Sequence, residues 1–268
     1  SELPSGGRAY GTSVYSDWLY LFDDMFSSYQ GLSALDKTAT EVKQALSLGS
    51  DWKLKVFVTI PHLDTTLKNF GDIDGDGVSE DLTVMANRVK VARLYAEKVI
   101  KKFNDSKYKN LELCGFYWFH EAISGEDVTT AQKVSASLKE IDMPLFWIPY
   151  FNAAGYNRWE EFGFEVGCFQ PNYAFHADVA RDRLYYASMY AMRYGMCIEI
   201  ETDDQVFSSD LFYRKYTDYL WGGVKYGYID AIHMYYQSVT VFYKECYSSD
   251  PKIRNLYDLT YKFVKGTL

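Results

Sequence analysis

Residues 111–121 read LELCGFYWFHE, an apolar run that ends abruptly in an acidic residue. Similar short apolar runs alternate with amphipathic helical stretches along the whole chain. This alternation is typical of βα units that build a parallel sheet. Eight strands are predicted, at residues 9–15, 19–26, 55–60, 111–119, 145–151, 166–173, 196–201 and 231–236.

Helices are predicted between these strands. In residues 82–103, for example, apolar residues recur at steps of three and four and form one buried stripe. The other predicted helices are residues 37–48, 129–141, 181–194, 210–226 and 251–264. No helix separates the first two predicted strands, so the strand count depends on the amino end.

Eight strands and their helices in 268 residues most economically close into a (β/α)8 TIM barrel. The predicted fold is therefore α/β, with residues 1–268 as a single domain. Two domains would also fit this length. A doubly wound open sheet is a further alternative, but the GxGxxG loop that follows its first strand is absent from the sequence.

The composition narrows the ligand class. A formal charge of −8 argues against a nucleic-acid partner, which needs clustered Lys and Arg. The chain has 25 Tyr, 17 Phe and 6 Trp, more aromatic residues than core filling requires, which favours sugar or peptide ligands.

No apolar run approaches the ~18 residues that would span a membrane. The four scattered cysteines are predicted to be free thiols.

Carboxylates stand at the ends of two predicted strands. Glu121 ends the fourth, and Glu199 and Glu201 end the seventh. Catalytic residues of a barrel come from the carboxyl ends of its strands. Because side chains alternate along a strand, Glu199 and Glu201 should point to the same side, where two like charges are costly to bury. Function is a reason to keep them, and rim acids paired with Arg or Lys are the structural alternative.

Hydrolysis of a glycosidic bond would use such acids. It needs one protonated carboxyl group to donate to the leaving oxygen, and one ionised carboxylate to attack the sugar or to activate water. Two acids in different surroundings can be held in these two states.

The motifs FGDIDGDG (70–77), GFYWFHE (115–121), WIPYF (147–151), QPNY (170–173) and IEIETD (198–203) occur in this order. Together they resemble a bacterial family of glycosidase-like barrels known as a domain of unknown function. The resemblance implies a TIM barrel grouped with glycoside hydrolases. It also implies a secreted, periplasmic or cell-surface protein, but it supplies no substrate.

On this interpretation Glu121 is the acid/base and Glu201 the nucleophile, with Glu199 as the alternative nucleophile. A retaining mechanism is favoured over an inverting one, and the substrate is a polysaccharide or an oligosaccharide. Aromatic, amide and imidazole side chains at the same strand ends are expected to bind the sugar. These are Tyr117, Trp118, His120, Trp147, Tyr150, Gln170, Asn172, Tyr173, His233, Tyr235 and Tyr236.

The loop at residues 72–77, DIDGDG, follows the first half of an EF-hand loop. Its position twelve is Thr83 instead of Glu. We expect a structural Ca²⁺, held by the set Asp72, Asp74, Asp76, Val78 and Asp81, and no cofactor for catalysis. The alternative is a solvated acidic turn that caps the next helix.

Other functional classes remain open at this point. The four histidines, His62, His120, His176 and His233, show no zinc-enzyme spacing. A carbohydrate-binding barrel without activity is the alternative to a hydrolase. A metal-dependent hydrolase that uses the acidic loop is a third interpretation.

Overall fold

The structure is a computed structural model that describes residues 3–5 and 12–268. The chain divides into two compact units. The first is Ser1–Trp147 with Glu160–Glu165, and the second is Ile148–Trp159 with Val166–Leu268. The organisation of residues 1–268 as a single domain stays a prediction.

The first unit alternates helices and parallel strands. In chain order its elements are α1 (Tyr15–Met25), α2 (Gly31–Ala45), β1 (Leu54–Ile60), α3 (Met85–Ser106), β2 (Leu111–Trp118), α4 (Glu126–Lys139) and β3 (Leu145–Trp147). Strand β1 pairs with β2, and β2 pairs with β3.

The second unit repeats this pattern and adds a helical carboxyl end. Its elements are β4 (Val166–Phe169), α5 (Asp182–Arg193), β5 (Cys197–Glu201), α6 (Asp210–Tyr226), β6 (His233–Tyr236), α7 (Val241–Cys246) and α8 (Pro251–Val264). Short 3₁₀ helices lie at Tyr156–Arg158 and Asp204–Phe207. Strand β5 pairs in parallel with both β4 and β6.

The prediction of a closed (β/α)8 TIM barrel is wrong. The described residues contain six strands, in the order β1 to β6, instead of eight. The α/β class and the parallel pairing are confirmed. Glu121 therefore follows the second strand, and Glu199 and Glu201 belong to the fifth.

The miscount arises at the amino end. Residues 19–26, predicted as a strand, belong mostly to helix α1, whose buried Trp18 and Phe22 lie four residues apart. The Asp17 carboxylate accepts the Val14 N–H at 3.0 Å, which stabilises the start of this helix. Of the predicted strand at residues 9–15, residues 9–11 lie outside the described residues. Residues 12–14 form no strand, and Tyr15 begins α1.

The sheet of the first unit has two different faces. On one face the paired residues form buried rows, of which the last is Ile60, Trp118 and Trp147. The other face carries side chains that keep some exposure, among them Phe57 and Tyr117. Because a buried apolar face needs cover, we assign the first face to the helix layer, where α3 contacts β1 and β2.

A β-bulge in β2 sets the register in which β1 and β2 pair. The pairing of β1 and β2 passes from Val56 with Leu113 to Phe57 with Gly115, so Cys114 is skipped. Gly115 has φ of 153°, and a Cβ atom there would lie 2.4 Å from the carbonyl oxygen of Pro144. Only glycine fits this position.

Helix α7 of the second unit contains a buried acid, Glu245. The side chain is inaccessible, and neither carboxyl oxygen makes a hydrogen bond among the described residues. Burial raises the pKa of Glu245 to about 8 from an ordinary value of 4.5. The folded chain therefore holds a proton here at neutral pH that the unfolded chain releases.

We expect this proton to make stability fall as the pH rises. Below pH 4.5 the carboxyl group is protonated in both states, and between 4.5 and about 8 only the folded state keeps the proton. The resulting loss is at most about 5 kcal/mol and is complete above the folded pKa. Glu245→Gln should remove this part of the pH dependence and be more stable than the wild type at pH 8, measured by urea unfolding.

Glu41→Gln is the matched control, because Glu41 lies exposed on α2. It should leave the pH profile unchanged. Equal slopes for the wild type and Glu245→Gln between pH 5 and 8 would contradict the assignment.

Candidate functional site

Strand β5, in the second unit, carries the two candidate nucleophiles, Glu199 and Glu201. Glu199 is 7% exposed and Glu201 is 1% exposed, in a strand that is buried throughout. In the register with β6, Glu199 lies beside Met234 and Glu201 beside Tyr236. The two glutamates therefore belong to the same face of the sheet, as strand alternation predicts.

Donors from α6 and from the loop after β4 hold Glu201. The Tyr219 hydroxyl of α6 and the Tyr173 N–H, at 3.4 Å, both donate to its Oε2 atom. Burial, and then the neighbouring Glu201 carboxylate, raise the pKa of Tyr219 well above its usual value. The phenol thus keeps its proton and acts as the donor. The arrangement fixes the orientation of Glu201 and suits a charged acceptor.

The segment after β4 is fastened to α6. The Tyr173 hydroxyl donates to Asp218 at 2.9 Å, and the ring lies under the ammonium group of Lys215, 3.7 Å from its centroid. Lys215 also donates to the carbonyl oxygens of Tyr173 and Val179. Burial lowers the pKa of Lys215. Tyr173 therefore packs in the helix layer, and its main-chain N–H is the group that reaches Glu201.

His233 and Tyr235 belong to the opposite face of the same sheet. They pair with Ile198 and Ile200, which alternate with the two glutamates. The His233 ring lies 4.8 Å from Phe263 of α8, and its Nε2 atom lies 2.6 Å from the Tyr228 carbonyl oxygen. Tyr235 lines an aromatic cavity of about 180 Å³ against α8. Both side chains thus pack against helices and away from the acids.

Tyr150, Gln170 and Asn172 lie near the end of β4. Tyr150 and Gln170 form an isolated parallel bridge, and the Gln170 amide donates to the Ile148 carbonyl at 2.8 Å. Tyr150 remains 37% exposed. Asn172 adopts a left-handed backbone conformation with φ of 50°. Tyr150 is therefore the member of this group that offers an accessible ring.

In the first unit, Trp118 and Trp147 belong to the buried face. The Trp147 ring stacks on Phe164 at a centroid distance of 5.4 Å. Its Nε1–H donates to the carbonyl oxygen of His120 at 2.9 Å. Trp147 therefore fixes the main chain immediately before Glu121 and does not offer a free ring face.

Tyr117 belongs to the other face, with two aromatic residues that the sequence analysis missed. It stacks on Phe146 at 5.1 Å, and Phe146 contacts Phe57 edge to face at 4.9 Å. We call Phe57, Tyr117 and Phe146 the aromatic face. Phe57 and Phe146 could have been found from the sequence, because side chains alternate along β1 and β3 and these two share the face of Tyr117.

His120 has a neighbour that was also missed. The rings of His62 and His120 lie 4.3 Å apart, and Nδ1 of His120 lies 3.7 Å from the Asp127 carboxylate. Each histidine follows its strand by two residues, His62 after β1 and His120 after β2. That common spacing was the available signal.

The acidic loop brings three of its predicted ligands together. Carboxylate oxygens of Asp72, Asp74 and Asp76 lie within 4.8 Å of one another. Asp72 accepts the N–H groups of Gly75 and Gly77 at 2.6 and 2.8 Å, which folds the loop around its carboxylate.

Two neighbours modify this group of aspartates. Lys90 lies 2.5 Å from Asp74 and 2.8 Å from Glu80, so one acid of the group is already paired with a cation. Asp81 accepts from the N–H and hydroxyl groups of Thr83 and so binds its own turn. Val78 is exposed. The converging set is thus Asp72, Asp74 and Asp76.

The family described as domain of unknown function (DUF4855) matches residues 7–262. The chain belongs to this family. No curated protein sequence matches the chain. Among the described residues of this DUF4855 domain, no helix combines the length and the apolarity needed to cross a membrane.

The bond between Tyr219 and Glu201 can be tested directly. Tyr219→Phe removes the hydroxyl donor but keeps the ring, so Glu201 stays buried with one donor fewer. We expect a loss of stability of about 2 kcal/mol, as is typical of hydrogen bonds to charged groups. Urea unfolding followed by tryptophan fluorescence would measure it. Tyr243→Phe, at an exposed position of α7, is the control, and equal stabilities of the two variants would exclude the assigned role.

Proposed function

We propose that the protein is a glycoside hydrolase that acts on a polysaccharide or an oligosaccharide. Glu121 is the proposed acid/base, and Glu201 is the proposed nucleophile, with Glu199 as its alternative. The observation that carries the proposal is the burial of two carboxylates on one face of β5, one of them oriented by Tyr219 and Tyr173.

The energetic cost of burial supports this interpretation. Two like charges two residues apart on a buried strand repel each other and lose solvation. A core position gains more from an apolar side chain, as Ile198 and Ile200 of the same strand illustrate. Retained carboxylates are therefore more readily explained by chemistry than by stability. Glycosidic hydrolysis is a reaction that needs carboxyl groups in two protonation states.

Aromatic side chains with accessible rings support a sugar ligand. The proposed binding set is Tyr117, His120, Tyr150, Gln170 and Asn172. The C–H faces of sugar rings lie on aromatic rings, and their hydroxyl groups pair with amide and imidazole groups. The packed residues Trp118, Trp147, Tyr173, His233 and Tyr235 serve as support in this proposal. A polysaccharide substrate also agrees with an exported protein, the location that the family resemblance implies.

The second candidate function is carbohydrate binding without catalysis. The exposure of Glu201, only 1%, and its bonds to the helix layer favour this candidate, because a structural acid would look the same. A binding protein needs no carboxyl group for proton transfer. The two functions therefore predict different effects of amide substitutions.

We also propose that Asp72, Asp74 and Asp76 bind a structural Ca²⁺ with the carbonyl oxygen of Val78. Convergence of three carboxylates supports the proposal, since Ca²⁺ prefers oxygen ligands. The N–H groups that Asp72 accepts leave its remaining lone pairs for an ion. Lys90 would have to release Asp74, which predicts weaker binding than in a complete EF-hand. The proposed hydrolysis needs no cofactor.

The hydrolase is tested with a broad panel of polysaccharides and with an aryl glycoside of the sugar that is released. Glu121→Gln should lower kcat on the polysaccharide by about 10² to 10⁴. The loss should be much smaller on the aryl glycoside, whose leaving group needs no proton. The nucleophile variant, Glu201→Gln or Glu199→Gln, should lose turnover on both substrates.

Glu160→Gln, at an exposed position of the first unit, is the control. Sugar binding with no turnover in the wild type, and with binding unchanged in Glu121→Gln, would establish the carbohydrate-binding alternative.

Calcium binding is tested by thermal unfolding with and without Ca²⁺. At about a hundredfold excess over Kd, the ion should stabilise the wild type by about 2.7 kcal/mol. Asp72→Asn should abolish this gain, whereas Asp23→Asn, an exposed change on α1, should keep it. If a chelator removed turnover from a protein that stays folded, metal-dependent hydrolysis would replace the two-carboxylate mechanism.

A further inference from the structure

We propose that His62 and His120 form a binding site for Zn²⁺, separate from the acidic loop, which shares His120 with the proposed sugar-binding set but uses none of the proposed catalytic acids. The two histidines are 58 positions apart in the numbering (120 − 62), so their sequence spacing gave no zinc motif. The structure brings their imidazole rings to a centroid distance of 4.3 Å. Imidazole nitrogen is a preferred ligand of Zn²⁺.

The pairing of β1 and β2 places the two side chains together. Ile60 lies beside Trp118 at the last position of the register. The Phe119 N–H then donates to the Ile60 carbonyl at 3.4 Å, so the chains stay adjacent beyond the strands. Trp147 fixes the carbonyl group of His120. The site thus rests on an ordered strand end, which keeps the ligands in place without the metal.

Two carboxylates flank the pair and would complete its outer shell. Nδ1 of His120 is buried and makes no hydrogen bond among the described residues, although Asp127 lies 3.7 Å away. A metal-binding histidine usually donates its other N–H to a carboxylate. Asp127 is therefore the carboxylate that Nδ1–H would reach if the His120 ring moved slightly on metal binding, which leaves Nε2 for the ion. Asp64, which interacts electrostatically with His62, is held in place by Thr12 and Thr66.

The chemistry of this site differs from that of the acidic loop. The two aspartates near the histidines balance the charge of a divalent cation. No third imidazole, carboxylate or thiol among residues 3–5 and 12–268 converges with the pair. Water would fill the remaining positions, and the His120 side chain, 38% exposed, is accessible to a hydrated ion. A site with two protein ligands should bind Zn²⁺ more weakly than a complete structural zinc site.

The test is a Zn²⁺ titration of the whole chain by calorimetry, with Ca²⁺ in excess to saturate the acidic loop. We expect one equivalent to bind. His62→Ala and His120→Ala should each weaken binding at least about tenfold, and Asp127→Asn should weaken it by about the same factor. The control is His176→Ala, because His176 is an exposed histidine of the second unit.

A second readout locates the ion. In ¹⁵N-detected spectra of the histidine rings, Zn²⁺ should shift the signals of His62 and His120 and leave those of His176 unchanged. If an alanine variant fails to fold, the corresponding glutamine variant replaces it. Absence of Zn²⁺ binding to the wild type, or binding to His62→Ala and His120→Ala as strong as to the wild type, would overturn the site.

Discussion

The bond from the Tyr219 hydroxyl to Glu201 joins three parts of the second unit. Tyr219 comes from α6, Glu201 ends β5, and the Tyr173 N–H that shares the carboxylate follows β4. These donors offset the burial of Glu201, which has almost no solvent contact. The Tyr228 hydroxyl bonds to the carbonyl oxygen of Tyr219 and so extends the same network. One acid thus determines how α6 and the loop after β4 are held against the sheet.

Strand alternation explains which predicted site residues have accessible side chains. Along β5, Glu199 and Glu201 share one face, and Ile198 and Ile200 belong to the face of His233 and Tyr235, which pack against α8 and α7. In the first unit, the same alternation separates Tyr117 from Trp118. The proposed binding residues are therefore about half of those that the motifs indicated. The other half support the backbone, as Trp147 supports His120.

The sequence predicted six strands near their observed positions but not the number of strands. Short apolar runs between helical stretches are typical of the buried strands of a parallel sheet, of which β5 is the clearest case. The strand prediction for residues 19–26 failed because Leu19, Phe22 and Phe26 fit the composition of a strand as well as they fit a helix period of three to four. The two strands predicted at residues 9–15 and 19–26 raised the count from six to eight and so suggested a closed barrel. Local composition could not reveal this error, because closure depends on the pairing of every strand.

For the site, the sequence was sufficient where the relevant geometry is local. The shared side of Glu199 and Glu201 follows from their spacing of two, and the convergence of Asp72, Asp74 and Asp76 follows from the glycine loop. Contacts between segments that are distant in the sequence could not be predicted in this way. His62 meets His120, and Phe57 meets Phe146, only because the bulge at Cys114 and Gly115 sets the register of β1 and β2.

Burial of a charged group is not by itself a sign of function in this protein. Arg88 is inaccessible, yet its guanidinium is satisfied by Thr130 and the Leu82 carbonyl, and Lys215 is likewise satisfied by two carbonyl groups. These residues connect helices and loops, which is a structural task. Glu199 and Glu201 differ because they are two acids of the same sign on one face of one strand, an arrangement that adds repulsion to desolvation. That combination, more than the burial of either acid alone, is the reason we propose one of them as the nucleophile.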